Sequence, residues 1–382
     1  MMDRPIKLYF VIGEVSGDLL GADLLDHFDA LGQEVEPFGL GGEKMQEKGL
    51  KPLFPSSDIA IMGISGVVRK LPTLLARARE VAIDIVEKKP DVVLLIDSPE
   101  FAKQVAKRVK AKRPQLPVVK YVCPTVWSWR PGRAKKMNAY IDHVLAVLPF
   151  EPKVMKDLGG PETTYVGHPL ARLSGTIDLK MKQTPKSPAQ ILILPGSRKS
   201  EVSRLMPILK ASVDILEERG QKAQYILPAV PHLEAMIRES IADWKTKPVI
   251  LTGEKAKIEA MQNADAAIAA SGTAILELAL YGVPTVSIYK LDPAVYAVRF
   301  LIKSWTAALP NLIADKVIVP ERINDYAQPG YIARLIEDLV KKGPQRKAQL
   351  DGFQLVHDTM KQDDAPGLIS AKIILSMVEN RS

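Results

Sequence analysis

The chain has 382 residues, of which 47% are hydrophobic and 25% are charged, and its formal net charge is +8. This composition is that of an ordinary globular protein, and the length exceeds what one hydrophobic core usually holds, so we expect two domains. The single cysteine, Cys123, excludes an internal disulfide framework and suits a reducing compartment. No uncharged apolar run reaches the ~20 residues of a membrane-spanning helix, and no signal peptide is visible.

The positive charge is concentrated in one region of the chain. Residues 101–150 contain eleven Lys or Arg and one Asp, so the remaining residues together carry a net charge of about −2. A basic patch confined to one region indicates a local acidic partner. Nucleic acid, anionic lipid head groups and a phosphorylated substrate are the candidates.

The first predicted unit is a strand, a glycine loop and a helix. Residues 7–12 form a run that is apolar after Lys7, as in a parallel strand buried on both faces, and a helix is predicted from about residue 19 to 31. Glu14 and Asp18 in the loop between them argue against phosphate binding but could hold sugar hydroxyls. The alternative for Asp18 is the N-cap of its own helix.

A second buried strand is predicted at residues 91–96, and it ends at Asp97. Ligands of open α/β sheets bind at the carboxyl ends of the strands, so Asp97 is a candidate general base toward a hydroxyl nucleophile. The alternative is a capping aspartate for the helix that begins near Pro99.

Two stretches of the first half combine apolar or aromatic residues with basic ones. One is the glycine-broken run at 59–68, followed by a predicted helix at 71–88, and the other is 122–136. Such stretches can bind an anionic membrane surface or stack on single-stranded nucleic acid. The alternative is a packing role, with a tryptophan pair in the core beside a solvated helix. The candidate membrane-facing residues are Ile61, Met62, Ile64, Val67, Trp127, Trp129, Arg130 and Arg133.

The pattern of strand, loop and helix restarts at residue 190, after a polar, proline-containing linker at 171–189. We therefore predict an α/β protein with two Rossmann-like domains that face a cleft, at 1–170 and 190–340. A helical tail at 341–382 is expected to pack back on an N-terminal domain.

Two loops of the second half suit a nucleotide. Ser271, Gly272 and Thr273 precede a helix, whose first amides and dipole attract phosphate. Glu277 lies about one turn further on the same face and could accept hydrogen bonds from sugar hydroxyls. Arg198, in a Pro-Gly-Ser-Arg loop, could stabilise a departing diphosphate. Solvent-facing positions for Arg198 and Glu277 are the alternatives.

Several chemistries have no support in the residue pattern. Five scattered histidines and one cysteine show no metal-binding spacing, and neither a P-loop nor a Gly-x-Ser-x-Gly motif is present. His168 could contact a ligand or could be a hinge histidine that the backbone satisfies.

A series of motifs resembles one family, the lipid-A-disaccharide synthases. Each motif alone is weak, but they follow one another in order from residue 13 to about 320. They are Gly-Glu-Val-Ser-Gly-Asp (13–18), Met-Gly-Ile-Ser-Gly (62–66), Ile-Asp-Ser-Pro-Glu-Phe (96–101), Val-Cys-Pro-Thr-Val-Trp-Ser-Trp-Arg (122–130), Leu-Pro-Phe-Glu (148–151), Val-Gly-His-Pro (166–169), Leu-Pro-Gly-Ser-Arg (194–198), Ser-Gly-Thr to Glu (271–277) and Leu-Pro-Asn-Leu-Ile-Ala (309–314).

The resemblance implies an inverting glycosyltransferase of the GT-B fold. Such an enzyme joins UDP-2,3-diacylglucosamine to 2,3-diacylglucosamine 1-phosphate and releases UDP, in the lipid A pathway of Gram-negative bacteria. The resemblance implies that the protein needs no metal or other cofactor and binds no nucleic acid. It also implies a cytoplasmic, peripheral position at the anionic inner face of the inner membrane, and it leaves open whether the protein is a homodimer. It also favours Asp97 as the base and adds Ser16 and Asn311 as substrate-binding candidates.

Two alternatives stay open at this point. A UDP-sugar 2-epimerase shares the fold but needs no acyl-binding surface. A non-catalytic basic protein that binds membranes or RNA leaves Asp97 and Glu277 at their strand ends unexplained.

Overall fold

The computed structural model describes residues 4–55, 58–59, 64–173 and 177–380, with the side chains of 64–70 and 294 left aside. The chain forms two compact units. The first consists of residues 1–169 and 362–382, and the second of residues 170–361.

The first unit is built on a parallel six-stranded sheet in the order β2-β1-β3-β4-β5-β6. Its central strands are buried on both faces and mostly apolar, as parallel sheets with helices on both sides require, with Lys120 on β4 and His143 on β5 as the polar exceptions. The strands are β1 Ile6–Ile12, β2 Val35–Leu40, β3 Val92–Ile96, β4 Val118–Tyr121, β5 His143–Ala146 and β6 Glu162–Tyr165. The helices are α1 Val15–Ala30, α2 Glu43–Glu47, α3 Ile64–Lys88, α4 Pro99–Lys112, α5 Arg133–Met137 and α6 Glu151–Asp157.

The second unit repeats this plan with a parallel sheet in the order β12-β11-β10-β7-β8-β9. Its strands are β7 Ala189–Leu194, β8 Ala223–Ala229, β9 Val249–Thr252, β10 Ala266–Ala270, β11 Thr285–Tyr289 and β12 Glu321–Ile323. Its helices are α7 Lys199–Glu218, α8 Glu234–Ser240, α9 Glu254–Asn263, α10 Thr273–Leu280, α11 Pro293–Ala297, α12 Leu309–Ala314, α13 Pro329–Leu339 and α14 Pro344–Met360. Short 3-10 helices cover Pro169–Leu173, Met181–Gln183, Pro231–Leu233, Arg299–Leu301 and Asn324–Tyr326.

The two halves of the C-terminal tail lie in different units. Helix α14 belongs to the second unit, where the buried Arg346 guanidinium donates to the carbonyls of Lys182, Asp265 and Leu339. The last helix, α15 Pro366–Glu379, packs on α1 of the first unit. This contact is close, since a Cβ at Gly367 would lie 2.4 Å from His27 Nδ1.

Candidate active site

Asp97 lies directly beyond the carboxyl end of β3, next to the first turn of α1. Its Oδ2 accepts a hydrogen bond of 3.1 Å from the Ser16 hydroxyl, and a Cβ at Gly17 would lie 3.4 Å from the same oxygen. The small residues at the start of α1 therefore let the helix approach the carboxylate. The carboxylate thus lies at the N-terminal end of α1, at the strand-end position where α/β sheets bind ligands.

The backbone at this strand end is in an unusual conformation. Asp97 and Ser98 have φ angles of +55° and +42°, in the left-handed region that non-glycine residues rarely adopt. Ser98, rather than Asp97, is the N-cap of α4, and its side chain makes no capping hydrogen bond. The alternative prediction of Asp97 as a helix cap is therefore wrong, because the left-handed turn directs its carboxylate toward α1.

The buried side chain of Lys120 supports this turn. The residue lies on β4, opposite Leu95 of β3, and is only 4% exposed. Its ammonium group donates to the main-chain carbonyl of Asp97 and, at 3.3 Å, to that of Leu95. Burial lowers the pKa of Lys120 to about 8, and the negative charge of Asp97 opposes this effect. The side chain thus keeps its charge at neutral pH.

Asp18 is committed to the backbone of the next helix. Its carboxylate is buried and accepts from the amide of Gly42 at 2.5 Å and from that of Lys44 at 2.8 Å, at the start of α2. The N-cap of α1 is Glu14, so the prediction that Asp18 caps its own helix is wrong. Both carboxylate oxygens are occupied, which gives Asp18 a structural role here. Glu14 and Ser16 are exposed on the same turn.

The aromatic and basic segment at 122–133 is partly packed. Trp127 is half-buried, meets the Phe150 ring edge to face with centroids 5.3 Å apart, and directs its indole N–H toward the Glu151 carboxylate at 3.4 Å. Trp129 is also half-buried. Arg133 donates to the carbonyl of Trp129 at 3.0 Å, whereas Arg130 is exposed. These contacts favour a packing role for Trp127.

Burial raises the pKa of Glu151 to about 7, although the amides of Leu148 and Val147 and the Trp127 indole oppose this effect. Burial likewise lowers the pKa of His168 to about 4, so this histidine is neutral at pH 7.

The predicted apolar run at 59–68 is largely outside the described residues. Ile61 and Met62 are not described, and Ile64 and Val67 lie in the first turns of α3, whose side chains there are not described. Exposed apolar side chains occur elsewhere, at Val15, Leu19, Val298, Phe300, Leu301, Ile302 and Trp305.

In the second unit, the loop after β7 is organised by a buried carboxylate. Glu201 is 7% exposed and accepts from the amides of Ser197 and Arg198 at 3.2 and 3.3 Å. The Arg198 guanidinium pairs with Glu201 at 2.8 Å, yet 73% of its side chain is exposed. Gly196 has a φ of +107°, and a Cβ there would lie 2.6 Å from Glu201 Oε2. Glu201 thus fixes the backbone of the loop, and most of the Arg198 side chain is exposed to solvent.

The loop after β10 has the predicted form. The amide of Ser271 donates to the Ile288 carbonyl at 2.9 Å and continues the sheet, and α10 begins at Thr273. The amides of Gly272, Thr273 and Ala274 donate to no group within the described residues. Gly272 has a φ of +157° and a ψ of −161°, which glycine alone adopts readily.

Glu277, one turn further along α10, forms an ion pair that sequence reasoning missed. Its Oε2 lies 2.9 Å from the ammonium of Lys257 on α9, and only 12% of the glutamate side chain is exposed. The predicted alternative of a freely solvated surface glutamate therefore does not describe this residue. Lys257 stands twenty residues earlier on another helix, so no local motif pointed to it.

Asn311 is buried, and its amide is saturated within its own loop. It donates to Thr306 Oγ1 and the Val319 carbonyl at 3.1 and 3.0 Å, and accepts from the amides of Ile318 and Val319 at 2.8 Å. These four bonds use the full capacity of the side chain, so it shapes the loop rather than reaching a substrate.

Within the described ranges, no group of three or more His, Cys, Asp or Glu residues is arranged to hold a metal ion. No helix in those ranges is long and apolar enough to cross a membrane.

A family model described as lipid-A-disaccharide synthetase matches residues 8–369 of this chain. A lipid-A-disaccharide synthase of Rhodopseudomonas palustris (strain BisB18) is 39% identical over 378 residues, which cover 97% of this chain and 96% of that protein. One from Bradyrhizobium diazoefficiens is 38% identical over 380 residues, which cover 98% and 97% of the two chains.

Solved structures share the fold at much lower identity. MurG of Acinetobacter baumannii has a TM-score of 0.61 at 13% identity, with 98% of this chain and 100% of that chain covered. UDP-N-acetylglucosamine 2-epimerase from Rickettsia bellii has a TM-score of 0.60 at 15% identity, with 99% and 98% covered. Together with the two parallel sheets, these likenesses confirm the predicted pair of Rossmann-like domains of the GT-B class. At such identities the likeness to an epimerase concerns the fold alone.

Proposed function

The chain belongs to the lipid-A-disaccharide synthase family, and from this premise we propose how its residues carry out the reaction. The protein is a glycosyltransferase of lipid A biosynthesis. The reaction joins UDP-2,3-diacylglucosamine to 2,3-diacylglucosamine 1-phosphate and gives the tetraacyl disaccharide 1-phosphate and UDP. Relatives that match almost the whole chain carry this name, whereas neither alternative has comparable support.

The first unit supplies the base in our proposal. The Asp97 carboxylate takes the proton of the acceptor 6′-hydroxyl as that oxygen attacks the anomeric carbon from the face opposite the diphosphate. A single displacement of this kind inverts the configuration. The observation that carries this assignment is the position of Asp97, beyond a buried strand, in a left-handed turn, with its Oδ2 on Ser16. Glu14, exposed on the same turn, is a candidate for the acceptor's other hydroxyls.

The second unit binds the nucleotide and helps it to leave. The amides of Gly272 and Thr273 at the start of α10 are donors for the diphosphate. Arg198 adds a guanidinium group from the loop after β7, the strand that pairs with β10. Glu277 accepts from the ribose hydroxyls. Preorganised donors of this kind stabilise the charge that develops on UDP, which is the role a metal plays in other transferases.

We also propose that the protein works as a peripheral protein at an anionic membrane. The acylated substrates lie in the bilayer, and apolar side chains are exposed at Val15, Leu19, Phe300 and Trp305. Arg299 and Lys303 flank Phe300 and Trp305 in the sequence, as expected for a surface that meets anionic head groups. Homodimerisation stays a prediction, and light scattering measures it directly.

The deciding experiment measures UDP release from UDP-diacylglucosamine with and without the acylated acceptor. We expect release only when the acceptor is present, and we expect Asp97→Asn to lower kcat by roughly 10²–10⁴-fold, the usual contribution of a general base. Because the nucleotide loops are in the other unit, the variant should bind UDP as the wild type does.

Full turnover by Asp97→Asn would remove the base assignment while leaving the reaction intact. Release of UDP without acceptor, or C2 epimerisation of the sugar, would instead contradict the transferase. The same assay in excess EDTA should show undiminished rates, and a loss that Mg²⁺ restores would contradict the role given to the backbone donors.

A further inference from the structure

Lys120 is a buried charge that the mechanism above does not use. It is one of the few charged side chains in the described core of the first unit, on a strand whose other residues are apolar or aromatic. Burying an ammonium group is costly unless hydrogen bonds and a nearby negative charge compensate. The contacts of Lys120 show where that compensation comes from, and both of its hydrogen bonds lie at the end of β3, beside the Asp97 turn.

The first compensation is geometric. The β3–β4 ladder ends with the pair Ile96 and Tyr121, so Asp97 lies just beyond it. The Lys120 ammonium donates to the carbonyl of Asp97 and to that of Leu95, two residues earlier. These bonds fix the peptide on either side of the strand end. They hold a turn in which two consecutive non-glycine residues have positive φ, a conformation that persists only when its surroundings enforce it.

The second compensation is electrostatic. The carboxylates whose negative charge favours the charged form of Lys120 are Asp97, at the end of β3, and Glu14, at the start of α1. The thiol of Cys123, after β4, is neutral because burial raises its pKa. On the α4 side, Lys120 shares a small cavity with Glu100, Lys103 and Arg133, and Glu100 lies 3.7 to 3.8 Å from each of the two cations. Asp97 is thus the carboxylate that is bonded through its own main chain to the Lys120 charge.

We propose that Lys120 is the positioning residue of the catalytic base: its ammonium group holds the left-handed Asp97 turn and keeps a positive charge beside the carboxylate. This proposal rests on the base role of Asp97 given above. Lys120 is not expected to touch either substrate, since it is buried beneath the turn. It acts by fixing the backbone from which the carboxylate projects, and so where the carboxylate points.

The test compares Lys120→Met, which removes the donors and the charge, with Lys120→Gln, which keeps an amide donor without the charge. We expect kcat/KM at pH 7 to fall about tenfold or more in Lys120→Met and less in Lys120→Gln. In both variants the loss should fall on kcat, with KM for the acceptor within about twofold of the wild type, because the carboxylate is displaced while the substrate-binding loops stay intact. UDP affinity should not change.

Lys182 provides a matched control. It is a partly buried lysine of the second unit, it also donates to main-chain carbonyls, those of Gln262 and Ala264, and burial also lowers its pKa to about 8. Lys182→Met should lower thermal stability to a similar degree without lowering kcat. If Lys120→Met behaves like Lys182→Met, Lys120 is merely structural and the proposal is overturned.

The double variant Lys120→Met/Asp97→Asn separates this proposal from the base assignment. If Lys120 acts through Asp97, the double variant should be no slower than Asp97→Asn alone. An independent further loss of about tenfold would show that Lys120 acts elsewhere. Normal turnover by Asp97→Asn would overturn both roles. If Asp97→Asn is inactive but Lys120→Met has the kcat of the wild type, only the positioning role is overturned.

Discussion

Two aspartates that look alike in the sequence have different surroundings in the structure. Asp97 and Asp18 each stand near a strand end of the first unit. Both carboxylate oxygens of Asp18 accept from the amides of Gly42 and Lys44. Among the described residues, the Asp97 carboxylate accepts only from the Ser16 hydroxyl, through Oδ2. The difference arises from residues more than twenty positions away, which single-sequence reasoning could not pair with them.

Glu277 gives a test of the nucleotide site at the scale of one residue. Its Oε2 is paired with Lys257 at 2.9 Å, which orients the carboxylate. In the proposed site, Oε1 is the oxygen that accepts from ribose hydroxyls. Glu277→Gln replaces a charged acceptor with a neutral amide and removes the ion-pair partner of Lys257. We expect UDP affinity to fall about 10- to 100-fold, as for loss of hydrogen bonds to a charged group. Isothermal titration calorimetry with UDP measures it.

Lys257→Met is the control for that measurement. It removes the partner but keeps the carboxylate, so its effect on UDP affinity should stay within about threefold, typical of an indirect contact. Unchanged affinity in Glu277→Gln would exclude the ribose contact. An equal loss in both variants would mean that the ion pair, rather than the carboxylate, supports the site.

At the scale of elements, the sequence predicted the strands that are buried on both faces and missed two of the four edge strands, β6 and β12. The runs around β1, β3, β7 and β10 are continuously apolar, so their signal is strong. Strands β6 and β12 lie at sheet edges with half-buried or exposed residues, and their polar sequences carry no such signal. Helix α3 begins at Ile64, earlier than the predicted residue 71, and contains Pro72, which weakens the local helix pattern.

The same limit applies to the site. Loops at strand ends were predictable because topology places them there, as with Asp97 and the Ser271 loop. The residues that hold strand-end loops, Lys120 at Asp97 and Glu201 at Ser197, were not predictable, because a buried charge is recognised only from its partners.

Glu151, the first residue of α6, gives this element a pH-dependent stability. Burial raises its pKa to about 7, whereas the pKa of this carboxyl in the unfolded chain is 4.5. Between these two pH values the folded state therefore holds a proton that the unfolded chain has released. The stability that the neutral form contributes is therefore fully present below about pH 4.5 and is lost as pH rises through about 7. The difference across this range is at most about 3 kcal/mol.

Comparison with Glu151→Gln isolates this effect. The variant cannot ionise, so we expect its melting temperature, relative to that of the wild type, to rise by several degrees between pH 5 and pH 8. Its absolute stability should be lower, because one of the groups bonded to Glu151, the Leu148 amide or the Trp127 indole, loses its acceptor. A constant difference over this range would exclude a titrating Glu151.

At the scale of the whole molecule, the two units differ in continuity. The second unit is a single stretch, residues 170–361, whereas the first is closed by residues 362–382. Helix α15 buries Ala371, Ile374 and Val378 in that unit, and its Gly367 meets α1 closely. The sequence-based division, with one tail at 341–382, did not separate α14 from α15, since both are amphipathic and joined by a short polar link. The contacts of Arg346 and Gly367, rather than composition, make this distinction.

Continuity predicts which part of the chain folds alone. A fragment of residues 170–361 keeps every strand and the buried core of the second unit, so we expect it to fold cooperatively and to bind UDP within about threefold of the full chain.

Residues 1–169 alone lack α15 and expose the apolar face of α1 that it covers, so we expect this fragment to be unstable. Joining 362–382 to 169 through a flexible linker should restore its thermal transition. Circular dichroism melts and calorimetric UDP titrations check both halves, and a stable 1–169 fragment would show that α15 contributes little to the first unit. Failure of 170–361 to bind UDP while folding normally would mean that the nucleotide needs residues of the first unit as well.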